Sequence, residues 1–166
     1  MSSDDKREIM NQTNNKIFSK PFLDSLFFTQ NKYHQHGVFV HTLRVLYYSL
    51  KHGDFRFFMP ALLHDIGKPF VAFKKDEEDV EFDEWSFSDH EERSYQIIKN
   101  WKFIGKYTKE MVRYHYLIRD IKKSQKEDYP RYLEKKKIWD SLDDSLKADL
   151  QRFLKYDDLG KGKRRR

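Results

Sequence analysis

The sequence of 166 residues contains no cysteine and no window of about eighteen apolar residues that could cross a membrane. The lack of cysteine excludes disulfides, zinc ribbons and thiol nucleophiles. The first residues of the chain are too polar to form a secretory signal. We therefore expect a soluble, cytoplasmic protein that has no membrane as a partner.

The chain also lacks internal repeats and any linker rich in proline, glycine or serine, so its length corresponds to one domain. Aromatic residues make up 16% of the sequence, which allows a core built largely from rings. We predict a polar N-terminal segment over residues 1–16, a folded domain over residues 17–160 and a basic tail over residues 161–166.

The formal net charge of +6 comes almost entirely from the C-terminal tail. Lysines and arginines within residues 161–166 supply five of the six charges, so the body of the protein is nearly neutral. A basic tail is most simply a solvated end of the chain. It could also make a weak contact with a nucleic acid through the phosphates.

Hydrophobic spacing predicts an all-α fold. Apolar residues recur every three or four positions over residues 38–50, and residues 55–66 form a second apolar stretch with Pro60 in its early part. Further helices are expected over residues 88–101, from Thr108 onward and over residues 144–156, whereas residues 129–142 form charged segments. We expect one or two helical turns over residues 17–28. We also expect a β-hairpin or loop over residues 70–87, inserted into the helical bundle.

Particular residues indicate where helices begin and end. Ser88 and Glu91 have the spacing of a capping box, with Ser88 as the N-cap. Thr108 is a candidate N-cap for the next helix, which would carry His115 in its middle. The Gly-Lys-Pro sequence at residues 67–69 is typical of a helix stop, because glycine frees the backbone and proline blocks continuation.

The most informative motif is the pair His64-Asp65, at the polar end of the second apolar stretch. Neutral imidazole and carboxylate are both ligands of divalent metals. Because neighbours on a helix point about 100° apart, both can reach one ion only near the axis or the end of the helix. Lys68 follows closely, as expected of a centre that handles phosphate. Taken alone, the pair could equally be a hydrogen-bonded surface pair.

Three other histidines and two late aspartates fall at suggestive positions. His41 lies on the inward face of the first predicted helix, and a buried histidine must be hydrogen-bonded or bound to something. His90 stands in the first turn of the capped helix, and His115 lies between two tyrosines. Asp157 and Asp158 end the last helix, where a negative charge opposes the helix dipole and therefore suggests a function.

In order and local context these residues resemble the HD superfamily of metal-dependent phosphohydrolases. The matching segments surround His41 and His64-Asp65 and continue over residues 87–94 and 156–162. The segments around His90 and Asp157 are also similar to the HD domains of bacterial tRNA nucleotidyltransferases. The resemblance covers roughly residues 34–162. It implies that residues 17–160 form an HD phosphohydrolase domain.

The resemblance implies up to six metal ligands, which are His41, His64, Asp65, His90, His115 and Asp157. Family members with two extra histidines often hold a second ion, with the aspartate of the motif as the bridge. The mixed donor set suits one or two divalent ions of Fe, Mn, Ni, Co, Zn or Mg. A metal-bound hydroxide would then be the nucleophile at neutral pH. Asp158 would cap the helix or face solvent.

Three basic residues are candidates for substrate binding. Lys68 is the best candidate to neutralise the phosphate in the transition state, and it forms the predicted catalytic pair with Asp65. Arg44 and Arg93 are weaker candidates, because such arginines more often form surface ion pairs. The remaining histidines match no family position and are expected at the surface or behind the ligands: His34, His36 and His52.

Three functions stay open. The first is a phosphohydrolase that acts on a nucleotide or an RNA end, as a phosphatase or a 2′,3′-cyclic phosphodiesterase. The second is a free-nucleotide enzyme of the same superfamily, such as a deoxynucleotidase, a dNTP triphosphohydrolase or a dinucleoside polyphosphate hydrolase. The third is a non-catalytic HD-like nucleic-acid-binding module, although every ligand position holds a competent residue. An oligomer is compatible with each of them.

Overall fold

The computed structural model describes residues 36–71, 73–74 and 85–162. In chain order it contains α1 (Val38–Lys51), a 3-10 helix (Phe55–Phe57), α2 (Phe58–Leu63), α3 (Lys68–Val71), β1 (Phe73–Lys74), β2 (Trp85–Ser86), α4 (His90–Ile98), α5 (Lys106–Tyr114), α6 (Leu117–Glu127), α7 (Tyr129–Ser141) and α8 (Asp144–Gly160). The turns predicted over residues 17–28, the predicted polar segment and most of the basic tail lie outside the described residues.

The predicted all-α fold class is confirmed. Helix α1 packs against α2 and α8, α4 packs against α5, and α6 packs against α7. Within the predicted insertion, Phe73 pairs with Ser86 and Lys74 pairs with Trp85 in a short antiparallel ladder, whereas residues 72 and 75–84 lie outside the described residues. Two buried clusters form the core. The first includes Val45, Phe57, Met111, Leu150 and Phe153, and the second includes Ile66, Ile97, Ile98, Ile104 and Val112.

The helix predicted over residues 55–66 is divided into shorter pieces. It begins as the 3-10 helix, continues as α2 and ends at Leu63, before the motif. Pro60 lies in the first turn of α2, where its missing N–H costs no helical hydrogen bond. The predicted helix stop at residues 67–69 is wrong, because Pro69 lies inside the short helix α3. Pro69 is tolerated there for the same reason as Pro60.

Two predicted N-caps are also wrong. The N-cap of α4 is Asp89, which has a φ of 57° and makes no side-chain capping hydrogen bond, so Ser88 lies outside the helix. Helix α5 begins at Lys106 after Gly105, and Thr108 is buried within its first turn. His115 therefore does not lie in the middle of a helix. It follows the last residue of α5, at the junction with α6.

Candidate metal centre

All six predicted metal ligands meet at one place in the interior. His41 comes from α1, His90 from the first turn of α4, and Asp157 from the last turn of α8. The others lie in the turns that follow α2 and α5. Each of the six is buried: His41, His64, Asp65, His90, His115 and Asp157. Asp157 lies within α8 rather than after it, because that helix continues to Gly160.

The turn that carries His64 and Asp65 is held against α4. The backbone N–H of Gly67 donates to Ser94 Oγ at 2.9 Å, and the same hydroxyl donates to the carbonyl of His64 at 2.7 Å. A Cβ at Gly67 would lie 2.5 Å from the backbone nitrogen of Ser94 and 2.6 Å from the carbonyl oxygen of His90. Gly67 is therefore required by the close approach of α4 to the turn, and not by the end of a helix.

The six residues divide into two groups of three, each with its ligating atoms within 4.8 Å of one another. The first triad consists of His41, His64 and Asp157, and the second triad consists of Asp65, His90 and His115. Imidazole nitrogens and carboxylate oxygens in such groups are the donors that borderline divalent metals accept.

Asp65 lies between the two pairs of histidines. Its Oδ2 is 3.2 Å from His64 Nε2 and 3.4 Å from His41 Nε2. Its Oδ1 is 3.4 Å from His90 Nε2 and 3.8 Å from His115 Nε2. The two oxygens of one carboxylate thus face two different histidine pairs, which is the arrangement a bridging ligand needs.

The donor set of the second triad fits a metal ion. The carbonyls of Phe87 and Val112 can only accept, so His90 Nδ1 and His115 Nδ1 donate to them, at 2.9 Å and 2.7 Å. Burial lowers the pKa of His90 to about 4. Burial, together with the charges of His64 and His90, lowers the pKa of His115 well below its ordinary value. Both rings are therefore neutral at neutral pH.

With the Nδ1 hydrogens used, each neutral ring has a bare lone pair on Nε2. These two nitrogens lie only 3.2 Å apart and face each other. Two lone pairs cannot form a hydrogen bond, but a divalent cation accepts both of them. A histidine whose Nδ1–H donates to a backbone carbonyl is also the usual form of a metal ligand.

In the first triad, unlike the second, neighbouring charges outweigh burial in setting the pKa of a histidine. His64 Nδ1 donates to the Ala61 carbonyl at 2.8 Å, and His64 Nε2 lies 3.3 Å from His41 Nε2. Burial would lower the pKa of His64, but the charge of Asp65, a hydrogen bond to that carboxylate and the charge of Asp157 together outweigh burial and raise the pKa. A metal that binds the first triad therefore competes with a proton at His64.

Both carboxylates of the cluster are held in the ionised form that binds metal. Burial would raise the pKa of Asp65, but the charges of His64 and Lys68 hold that pKa well below its usual range. Burial would likewise raise the pKa of Asp157. A hydrogen bond from His41 and the charges of His41 and Arg119 hold the pKa of Asp157 well below its usual range.

The structure distinguishes the two neighbouring aspartates of α8. Asp157 is buried, and its Oδ1 lies 2.9 Å from His41 Nε2. The side chain of Asp158 is 55% exposed and pairs with Lys161 at 3.1 Å. Asp157 is therefore the member of the pair that can join the first triad.

Arg119 and Ser94 contact the cluster, although no pattern in the sequence selects them. Arg119 Nη2 of α6 lies 2.5 Å from Asp157 Oδ2 and 3.0 Å from Asp158 Oδ1. Thirty-eight positions separate residues 119 and 157, so no local pattern connects them. Only the packing of the helices brings this arginine to the cluster.

The three basic candidates occupy different surroundings. Lys68 is buried, and its Nζ lies 2.7 Å from Asp65 Oδ2. Arg44 instead donates to the carbonyls at the end of α8, at 3.2 Å to Gly160 and 3.3 Å to Leu159. The guanidinium of Arg93 lies over the ring of Phe70. The substrate-binding roles of all three stay predictions.

The other two histidines that the structure describes belong to neither triad. His36 is partly buried, and His52 is exposed with its Nδ1 2.8 Å from the carbonyl of Tyr48. His34 lies outside the described residues.

A family model described as HD domain matches residues 38–145. The match covers more than half of the chain and includes five of the six clustered residues, while Asp157 lies beyond its end. No curated protein and no solved structure matches the chain. Within the described residues, none of the helices combines the length and apolar composition that crossing a membrane requires.

Proposed function

Because this chain belongs to the HD-domain family, whose members are generally metal-dependent hydrolases, we propose that it is a metal-dependent phosphohydrolase. Its proposed substrate is a phosphate ester of a nucleotide or of an RNA end, which it would cleave as a phosphatase or a 2′,3′-cyclic phosphodiesterase. The proposed cofactor is one or two divalent ions held by the two triads.

The observation that carries the proposal is the position of Asp65 between the two histidine pairs. Each of its oxygens lies within 4 Å of both Nε2 atoms of one pair. Divalent ions at a two-metal site supply an activated water as nucleophile and neutralise the phosphoryl oxygens of the substrate. An ionised, bridging carboxylate would fix the spacing between them.

The chain's own residues prepare the site for this chemistry. The carbonyls of Ala61, Phe87 and Val112 fix three histidines with Nε2 turned toward the cluster. The side chains of these histidines are buried, which strengthens electrostatic interactions with a phosphate. Lys68 is the residue that we assign to neutralise the substrate's phosphate, because its ammonium group already lies beside Asp65.

Fewer observations support the proposed substrate, a nucleotide or an RNA end, than support the proposed metal centre. The choice of substrate is supported by the likeness of the segments around His90 and Asp157 to the HD domains of tRNA nucleotidyltransferases. The donor set itself accepts Fe, Mn, Ni, Co, Zn or Mg, so metal identity must be measured.

Metal analysis of the purified protein, followed by a panel of phosphate substrates with each added metal, tests the proposal. Turnover of nucleoside 2′,3′-cyclic phosphates or RNA 3′-phosphates, but not of deoxynucleotides, is the expected result. Turnover of free deoxynucleotides or dinucleoside polyphosphates alone would assign the chain to the free-nucleotide enzymes instead. Bound metal with no turnover of any substrate would contradict hydrolase function and favour a non-catalytic module.

A further inference from the structure

The turn between α4 and α5 is hydrogen-bonded within itself and packs against the core. The backbone N–H of Trp101 donates to the carbonyl of Ile98 at 2.9 Å, and that of Ile104 donates to the carbonyl of Trp101 at 3.2 Å. Ile104 is buried, and Trp101 packs against the second core cluster. With residues 101 and 104 directed inward, Lys102 and Phe103 between them are directed outward and exposed.

Trp101 and Phe103 form an aromatic platform. Their rings are stacked, with centroids 5.3 Å apart and an interplanar angle of 25°. Phe103 is 77% exposed, so the face of its ring that is turned away from Trp101 meets solvent. Single exposed apolar residues are common at protein surfaces. Phe103 differs from such residues because its ring stacks on the half-buried indole of Trp101.

Lysines flank the platform in the sequence. Residues 99–109 contain four lysines and no acidic residue. Lys106 Nζ lies 3.5 Å from Glu110 Oε1. Such an ion pair at the surface contributes little to the free energy of folding. Among the described residues, Lys99, Lys102 and Lys109 have no ion-pair partner. Lys106 and Lys109 also lie in the first turn of α5, where positive charge opposes the helix dipole.

We infer that the α4–α5 turn is a binding surface for single-stranded nucleic acid. An exposed aromatic face beside unpaired lysines provides both interactions that such a strand needs, stacking of a base and attraction of the phosphates. In a duplex the base faces are already stacked on one another, so Phe103 would have no face to contact. A membrane surface fits less well, because Phe103 lies flat on Trp101 instead of extending from the turn.

This surface is separate from the metal centre. His90 is the first residue of α4 and His115 follows the last residue of α5, so both lie at the ends of the helices distant from the turn. Each helix has nine residues and therefore spans roughly 13 Å. The inference stands on the turn itself and does not depend on the proposed hydrolase activity.

Fluorescence anisotropy with the full chain tests the inference. The probes are oligo(dT) and oligo(U) of about twelve nucleotides, with a dye at the 5′ end and no terminal phosphate. Their binding is thus measured without turnover, and a failure of the hydrolase proposal would leave the result unaffected. A labelled duplex of equal length serves as the comparison ligand and should bind more weakly.

Phe103→Ala should weaken binding of the single strands roughly fivefold to 150-fold, the loss expected for one base–aromatic stack. Phe103→Tyr, which keeps the ring, should restore most of the affinity. Phe55→Ala is the matched control, because Phe55 is a 71% exposed phenylalanine on another element, and it should bind as the wild type does. The basic tail is present in every variant, so it cannot produce the difference.

The charge contribution is tested with Lys102→Ala. The magnitude of the slope of log affinity against log salt should fall by about 0.7 if Lys102 neutralises one phosphate of the single strand. Lys123→Ala, which removes a lysine paired with Glu127 on α6, should leave the slope unchanged.

Equal affinity of Phe103→Ala and wild type, or no binding of either oligonucleotide, would overturn the inference. Binding of phosphatidylserine vesicles that disappears in Phe103→Ala, with no binding of oligonucleotides, would assign the surface to a membrane instead.

Discussion

Arg119 and His41 contact different oxygens of the same carboxylate. Arg119 Nη2 lies 2.5 Å from Asp157 Oδ2, and His41 Nε2 lies 2.9 Å from Asp157 Oδ1. The arginine comes from α6, the histidine from α1 and the aspartate from α8. The guanidinium therefore holds Asp157 in the orientation that presents Oδ1 to the first triad.

We predict that Arg119→Gln lowers metal affinity by about 10- to 100-fold, the effect usual for residues that orient a metal ligand. Arg119→Lys keeps the charge but lacks the rigid guanidinium that places Nη2 against both Asp157 and Asp158, so its affinity should be intermediate. Isothermal titration with Mn²⁺ measures the effect. Arg152→Gln, which removes a hydrogen bond to Asp54 instead, is the control. Unchanged affinity in folded Arg119→Gln would show that Asp157 does not need the arginine.

Removing Asp65 should have a larger effect on metal content than removing a ligand of one triad. Asp65→Ala deletes the oxygens that face both histidine pairs, so we expect loss of all bound metal and of activity. His115→Ala should remove the second ion alone if two are bound. Metal analysis of the purified variants gives the stoichiometry, and His52→Ala is the control for an exposed histidine. Full metal content in Asp65→Ala would exclude the bridging role.

His64→Ala provides the complementary test of the first triad. It removes an Nε2 donor that faces both His41 and Asp65, and we expect both activity and the ion of the first triad to be lost. Metal analysis and turnover assays of the purified variant measure the two effects. Turnover at the wild-type rate with metal bound would mean that the first triad is not the catalytic site.

Gly67→Ala should destabilise the protein by roughly 1–3 kcal/mol, as expected when a methyl group is forced into a filled space. The added Cβ would meet backbone atoms of Ser94 and His90 at 2.5 Å and 2.6 Å, and these atoms cannot rotate away. Thermal unfolding measures the change. Gly105→Ala has no neighbour within 4 Å of the new Cβ and serves as the control. A smaller loss for Gly67→Ala than for Gly105→Ala would contradict the packing argument.

The side chain of Asp54, which is 12% exposed, should make stability depend on pH. Burial alone would raise its pKa, but hydrogen bonds from Tyr156 and Arg152 outweigh burial and lower the pKa. A carboxylate with a lowered folded-state pKa contributes stability above its unfolded pKa of about 3.9 and loses it as the pH falls through the folded pKa. Asp54→Asn should therefore cost roughly 1.5–3 kcal/mol at pH 7.

The stability difference between wild type and Asp54→Asn should shrink below about pH 4. Urea unfolding at several pH values measures it. Asp144→Asn is the control, because that side chain is fully exposed and the substitution should change little. A difference that stays constant down to about pH 2 would show that ionisation of Asp54 is not involved.

Local sequence predicts the helices whose apolar residues recur at helical spacing. The helix predicted over residues 38–50 is α1, and its inward-facing His41 is fully buried. The last helix begins at the predicted residue but continues to Gly160. Helix α7 corresponds to a region predicted only as charged segments. It buries none of its residues and therefore has no apolar stripe to reveal it.

The ends of elements could not be predicted, because tertiary contacts decide them. The spacing of Ser88 and Glu91 satisfies a capping box, yet Asp89 adopts a left-handed conformation and starts α4 instead. Gly67 has the sequence context of a helix stop, whereas its actual constraint is the approach of Ser94, which lies 27 residues away.

The amino-acid sequence specifies which donor groups are available, since it supplies four histidines and two aspartates that could bind a metal and no cysteine. The grouping of those donors follows only from the tertiary packing. It places Asp65 between two histidine pairs, brings Asp157 and not Asp158 to the first triad, and sets Arg119 behind it. Donor type is a property of each side chain. Grouping and orientation depend on helices far apart in sequence packing together, which no local pattern encodes.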